Sequence, residues 1–228
     1  MLPKMKPLTI GDLTARLPII QGGMGVGISK AGLATAVANA GGIGVLSAAC
    51  IGMLEGDLKN NYGEANIRAL RNEIKKAREM TSGILGVNIM VALTNFADMV
   101  KTAIEEKIDL IFVGAGLPVN LPQYLTEQTT TKLVPIVSSA RAAALLTKNW
   151  IDKFRRVPDA FVVEGPEAGG HLGFKHEQIT DPNFSLDKLL AKVLEALAPL
   201  EAAIGKKIPV IAAGGIYTGA DIYRVMQL

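Results

Sequence analysis

The feature that most constrains this chain is a repeated alternation of short apolar runs with longer amphipathic stretches. Apolar runs occupy residues 17–21, 43–47, 85–90, 109–113, 133–138, 160–164 and 209–213. They are nearly unbroken, as in Ile208, Pro209, Val210, Ile211, Ala212 and Ala213. Parallel strands covered on both faces look like this, whereas half-exposed antiparallel strands alternate apolar with polar residues. Between them lie helical patterns at 30–40, 64–80, 95–107, 140–153, 185–204 and 218–226, and a short one at 122–130. Ser29 stands where an N-cap would start the first helix. Residues 48–63 read as an insertion, and 165–184 as a loop.

Strand–helix units in series build either a doubly wound sheet or a TIM barrel. In a doubly wound sheet, ligand-binding signals gather at one switch point. Here glycines or polar residues follow several strands: Gly22 and Gly23, Asn88, Gly114, Ser138, Gly165, and Gly214 with Gly215. Strand ends that converge on one mouth explain this spread, so the expected fold is an α/β TIM (β/α)8 barrel forming a single domain over 1–228. Seven units are legible and the last pattern runs to Leu228, which predicts a barrel truncated after the seventh βα unit.

Composition excludes several functions. With 49% hydrophobic and 20% charged residues over 228 positions, the chain can bury a sizeable core. The 24 basic residues exceed the 21 acidic ones by only three and are dispersed, which argues against a nucleic-acid footprint. No uninterrupted apolar stretch is long enough to span a membrane, and the N-terminus lacks a signal-peptide pattern. One cysteine, Cys50, excludes an internal disulfide and a cysteine metal cluster. It fits a cytoplasmic location, and beside Ser47, Ala48 and Ala49 it reads as a buried, inert thiol. No metal site is expected.

Four segments carry candidate chemistry. Gly22, Gly23, Gly25 and Gly27 surround Met24 and Val26. Such a loop lets backbone approach a flat ligand, adopts positive φ readily, and leads into a helix N-terminus that favours anions; a plain strand–helix turn would read the same way. Gly214 and Gly215 follow the last strand, where barrels often bind phosphate, although a helix-start turn fits equally. The stretch from Glu164 to Gly173 sets Gly169 and Gly170 before His171 at a strand end. Histidine has the side chain whose ordinary pKa lies nearest neutrality, so it suits proton transfer. The other histidine, His176, sits between Lys175 and Glu177 and reads as a surface residue. Asn88 offers donors and an acceptor to a ring edge, or closes a turn.

Taken in order, Pro18 to Gly25, Ala40 to Gly44, Gly86 to Asn88, Glu164 to Gly173, and Ala213 to Ile216 resemble the nitronate monooxygenase family, formerly 2-nitropropane dioxygenases. Flavin-dependent enoyl-acyl-carrier-protein reductases belong to the same group. The stretch Glu167, Ala168, Gly169, Gly170, His171, Leu172, Gly173 is the most specific. The resemblance implies an FMN-binding oxidoreductase that oxidises alkyl nitronates with O₂ to a carbonyl compound and nitrite. It implies that Gly22, Gly23, Met24 and Asn88 hold the flavin ring, that Glu164, Gly169 and Gly170 lie near it, and that Gly214 and Gly215 hold its phosphate. His171 matches the family's active-site histidine. Its partner is then a small molecule, a nitronate or an enoyl thioester, and a homodimer is compatible with the reading. Two alternatives stay open: an enoyl-acyl-carrier-protein reductase using NAD(P)H, and a truncated flavin binder without turnover. A phosphate-binding barrel of the inosine-monophosphate dehydrogenase type is disfavoured, because that family needs a catalytic cysteine in a mouth loop and Cys50 follows the second strand.

Overall fold

A computed structural model of the chain describes residues 5–228. It divides into two compact units, Met1–Val113 with Gln123–Leu133, and Gly114–Pro122 with Val134–Leu228.

The first unit opens with an antiparallel hairpin that the periodicity does not reveal, β1 (Leu8–Ile10) and β2 (Leu13–Ala15). Gly11, at φ +62°, makes the turn. The chain then runs extended through the expected first barrel strand. There Leu17 N–H donates to the Gly41 carbonyl at 2.8 Å, Ile43 N–H to Ile19 at 2.9 Å, and Gln21 N–H to Ile43 at 3.0 Å. Ladder pairing is confined to a single parallel bridge, Ile20 with Ile43, so this strand is shorter than expected. The physical reason lies in its partner: Gly41, at φ +97°, still belongs to the turn that ends the preceding helix.

That helix, α1 (Ala31–Asn39), buries Ala31, Ala34, Thr35 and Ala38. The small residues let its backbone lie directly on β3 (Gly44–Ser47), where a Cβ on Gly44 would overlap the Ala34 carbonyl oxygen. Then follow α2 (Tyr62–Met80), β4 (Leu85–Met90), α3 (Phe96–Glu105) and β5 (Leu110–Gly114). The β3–β4 pairing is parallel and sets Ser47 beside Asn88. Ser29 is not the cap of α1. The N-cap position is Lys30, and the Ala31 N–H is met by the Glu73 carboxylate of α2 at 2.7 Å. A charged acceptor from a packed neighbour has replaced the local hydroxyl, and it takes up the anion-binding end of α1.

Between β5 and β6 (Lys132–Val137) the expected short helix is one 3-10 turn, Leu121–Tyr124. The second unit continues with α4 (Ala140–Phe154), β7 (Phe161–Glu164), the single-turn α5 (His176–Ile179), α6 (Leu186–Ile204), β8 (Val210–Ala213) and α7 (Gly219–Val225). Six strands hydrogen-bond in chain order, β3-β4-β5 in the first unit and β6-β7-β8 in the second. The β6–β7 and β7–β8 pairs are parallel. Leu186, Leu189, Leu190, Val193 and Leu197 form one helical stripe on α6, packed with Phe161, Val163 and Leu146. Gly205, at φ +66°, ends α6, and the Glu201 carboxylate accepts the Ile208 N–H at 2.8 Å, fixing where β8 begins.

Candidate active site

Within the first unit, the glycine loop is built by two polar side chains. Gln21 donates from Nε2 to the Val45 carbonyl at 2.9 Å and to Ser29 Oγ at 3.0 Å, and its Oε1 accepts the Val45 N–H at 3.3 Å. Ser29 Oγ accepts the Met24 N–H at 2.9 Å and donates to the Gly22 carbonyl at 3.2 Å. Ser29 is buried, so its hydroxyl is spent on folding the loop. Neither residue stood out in the sequence as a loop organiser, because the partners of Gln21 lie 8 and 24 positions away. Of the four loop glycines only Gly27 has positive φ. Gly23 is glycine for another reason: a Cβ there would stand 2.5 Å from Asn88 Cβ and 3.0 Å from Val45 Cγ1.

Asn88, near the end of β4, donates from Nδ2 to the Gly23 carbonyl at 2.8 Å. Its Oδ1 is buried and has no protein partner. Gly22, Gly23, Met24 and Asn88 are thus brought together in one unit, with open space beside Gly22 and Met24 exposed. Cys50 corrects the expectation of a buried thiol. It is half-buried at φ +48°, with Sγ 3.9 Å from the Tyr62 hydroxyl. Burial, then contact with Cys50, holds the Tyr62 hydroxyl above its ordinary pKa.

Within the second unit, the loop after β7 folds back over the strand ends. Gly165 N–H donates to the Ala213 carbonyl at 2.8 Å, and Ala168 N–H to Gly165 at 3.2 Å. Gly173 N–H donates to Glu164, and the Ser138 hydroxyl reaches the Gly173 carbonyl at 3.4 Å. Between these anchors Gly169, Gly170 and His171 are exposed, with Gly170 at φ +87°. His176 is exposed at the start of α5.

Glu164 is half-buried, and burial holds its carboxyl above the ordinary carboxylate range against the opposing Gly173 N–H. The folded chain therefore holds this proton more tightly than the unfolded chain does. Stability from this group is greatest below the ordinary value of 4.5 and falls as pH rises from there through the raised folded value. We expect Glu164→Gln to flatten that decline when unfolding free energy is measured against pH. Identical pH slopes in both proteins would remove Glu164 as the cause.

After β8, Gly214 (φ +93°) and Gly215 (φ +70°) take consecutive left-handed conformations. A Cβ on Gly214 would lie 2.9 Å from the Ala168 nitrogen and 3.1 Å from the Gly165 oxygen, and one on Gly215 would overlap Glu167 Oε2. The two glycines border a cleft of about 140 Å³ lined also by Pro166, Glu167, Ser185, Asp187 and Arg224. Arg224 is paired with Asp187. That hydrogen bond, with the charges of Asp187, Asp221 and Glu167, holds its guanidinium above the ordinary pKa. Glu167, Asp187 and Arg224 were absent from the sequence-based site; the cleft joins them from a loop and two helices.

Parallel strands in chain order, each leading into helix, with glycines and polar side chains at their C-terminal ends, define an α/β protein of the barrel-building class. Residues 6–228 match the sequence profile of the family described as nitronate monooxygenase. The chain belongs to the nitronate monooxygenase family, a family of oxidoreductases. It is 30% identical over 205 residues to the (3aS,4S,5R,7aS)-5-hydroxy-7a-methyl-1-oxo-octahydro-1H-indene-4-carboxyl-CoA dehydrogenase of Mycobacterium tuberculosis, covering 90% of this chain and 47% of that protein. It is 26% identical to the nitronate monooxygenase of Paraburkholderia phytofirmans, covering 92% of this chain and 60% of that one. The structure of FabK from Thermotoga maritima superposes with a TM-score of 0.67 at 30% identity, over 92% of this chain and 54% of that one. The chain thus spans about half the length of these relatives. Among the described residues no helix is long and apolar enough to cross a membrane, and no group of three or more His, Cys, Asp or Glu side chains could hold a metal ion.

Proposed function

We propose that this chain carries the FMN-binding face of an oxidoreductase that oxidises alkyl nitronates with O₂ to a carbonyl compound and nitrite. The observation that carries the reading is the amide of Asn88. Its Nδ2 is tied to Gly23, and its buried Oδ1 is left without a partner beside the Gly22–Met24 loop. Buried acceptors are rarely left unmet, and a ring N–H at the flavin edge would supply the donor. The residues fit the group on this side: Gly23 carries no side chain that would crowd Asn88, and the Asn88 Oδ1 has no protein partner.

FMN, when bound, supplies the electron transfer from substrate and onward to O₂. The chain's own residues bind and orient. Gly22, Gly23, Met24 and Asn88 hold the ring, Gly214 and Gly215 hold the phosphate, and Glu164, Gly169 and Gly170 lie beside the flavin. His171 offers a hydrogen bond to the nitronate oxygens, which carry the negative charge. A second reading is reduction of an enoyl thioester by NAD(P)H; the Mycobacterium relative, named as a carboxyl-CoA dehydrogenase, supports only the thioester part of it.

The test starts with the purified chain mixed with FMN and passed through gel filtration. Flavin absorbance that elutes with the protein is the expected result. Nitrite release from propionate-3-nitronate is then expected to exceed NAD(P)H consumption with a crotonyl thioester. The reverse order of rates would favour the second reading, and a colourless protein peak would refute FMN binding by this chain.

A further inference from the structure

The phosphate assignment places an anion at the Gly214–Gly215 turn, and the chain already has one there. Glu167 Oε2 fills the space that a side chain on Gly215 would take. The two glycines are held differently. Gly214 is packed against the backbone of Ala168 and Gly165, which is itself bonded to Ala213 at 2.8 Å. Gly215 faces the end of a flexible, exposed side chain that can swing aside. The turn is therefore fixed, while the carboxylate on it is movable.

Charge makes that carboxylate consequential. The cleft holds two carboxylates, Glu167 and Asp187, against one guanidinium, Arg224, which is already paired with Asp187. Asp221 adds a further negative charge close enough to act on Arg224. A phosphate monoester brings a charge of about −1.5 to −2 at neutral pH. Like charges in one small cleft repel, and more strongly at low salt.

We propose that Glu167 is a displaceable internal anion on the Gly214–Gly215 turn, and that it sets how strongly this chain prefers a phosphorylated flavin over an unphosphorylated one. Phosphate enters by displacing the Glu167 side chain, four residues before His171. Glu167 is a specificity residue whose negative charge weakens binding of the phosphate while leaving the ring contacts untouched. The inference rests on the flavin reading above.

The test compares FMN with riboflavin, which has the same ring and no phosphate. Both are titrated into the wild-type chain and Glu167→Gln, with flavin fluorescence as the readout. The preference for FMN over riboflavin is expected to rise about tenfold in the variant at low salt, and less at high salt. Riboflavin affinity is expected to stay constant. An FMN preference that is unchanged or lower, or equal tightening of both flavins, would overturn the proposal while leaving the flavin reading intact. If neither flavin binds either protein, the flavin reading fails, and inorganic phosphate decides the inference. Greater thermal stabilisation of Glu167→Gln than of wild type by phosphate would support it, and equal stabilisation would sink it.

Discussion

His171→Ala is expected to lower nitronate turnover by about 10²- to 10⁴-fold, the range for loss of a positioned proton-transfer or hydrogen-bonding group, with FMN still bound. The side chain is exposed in a loop whose anchors lie elsewhere, at Gly165 on the Ala213 carbonyl and at Gly173 against Glu164 and Ser138. Truncating it removes no core packing, so the thermal midpoint is expected to stay where it is. The residues assigned to the flavin are others, so the FMN content after gel filtration is expected to match wild type. Steady-state nitrite release, flavin content and a melting curve on one preparation separate these outcomes. Turnover equal to wild type would take His171 out of the mechanism. Turnover lost together with flavin would move it from substrate to cofactor.

The second large effect concerns folding. Gly44→Ala places a methyl group on the carbonyl oxygen, carbonyl carbon and Cα of Ala34 in α1. These are backbone atoms in the middle of a helix, so relief requires α1 to move off β3. Overpacking of that kind costs about 3 kcal/mol, or roughly 10 °C in a chain of this size. Gly32→Ala in the same helix is the control. A Cβ at Gly32 would meet nothing within 4 Å, and the position is exposed. Gly32 is the second residue of α1, where alanine is better than glycine by no more than the about 0.5–1 kcal/mol of a helix interior. The two changes should therefore move the denaturation midpoint in opposite directions. Equal midpoints for both would show that the α1–β3 contact is looser than the Gly44–Ala34 geometry requires.

What periodicity could reveal was the set of elements that bury apolar faces. The pattern at 85–90 coincides with β4, and the pattern at 185–204 differs from α6 only at its cap. The hairpin Leu8–Ile10 with Leu13–Ala15 was missed because each strand is three residues long, too short for a period of two to register. Residues 122–130 suggest a longer helix than the 3-10 turn Leu121–Tyr124 that forms there. Ser29 serves the glycine loop and not α1, for a physical reason that recurs across the site. A hydroxyl before a helix is a good local cap, but Glu73, 42 residues from Ala31 in sequence, offered a charged acceptor, and Ser29 then served Met24 and Gly22.

The candidate site divides along the same line. Gly22, Gly23, Asn88, His171, Gly214 and Gly215 were legible because glycine pairs and lone polar residues at strand ends stand out against apolar runs. The residues that shape them were not. Gln21 holds the glycine loop through Val45, and Glu167 sits on Gly215 across 48 residues of chain. The sequence by itself determined the long helices, the parallel strands from β3 to β8 and the family, because burial leaves a periodic, local trace. Only the tertiary structure decided which glycine is there for close packing and which for its dihedral angles, and which carboxylate faces the Gly214–Gly215 turn. Those answers depend on atoms brought together from distant positions, and no local pattern records the distance between them.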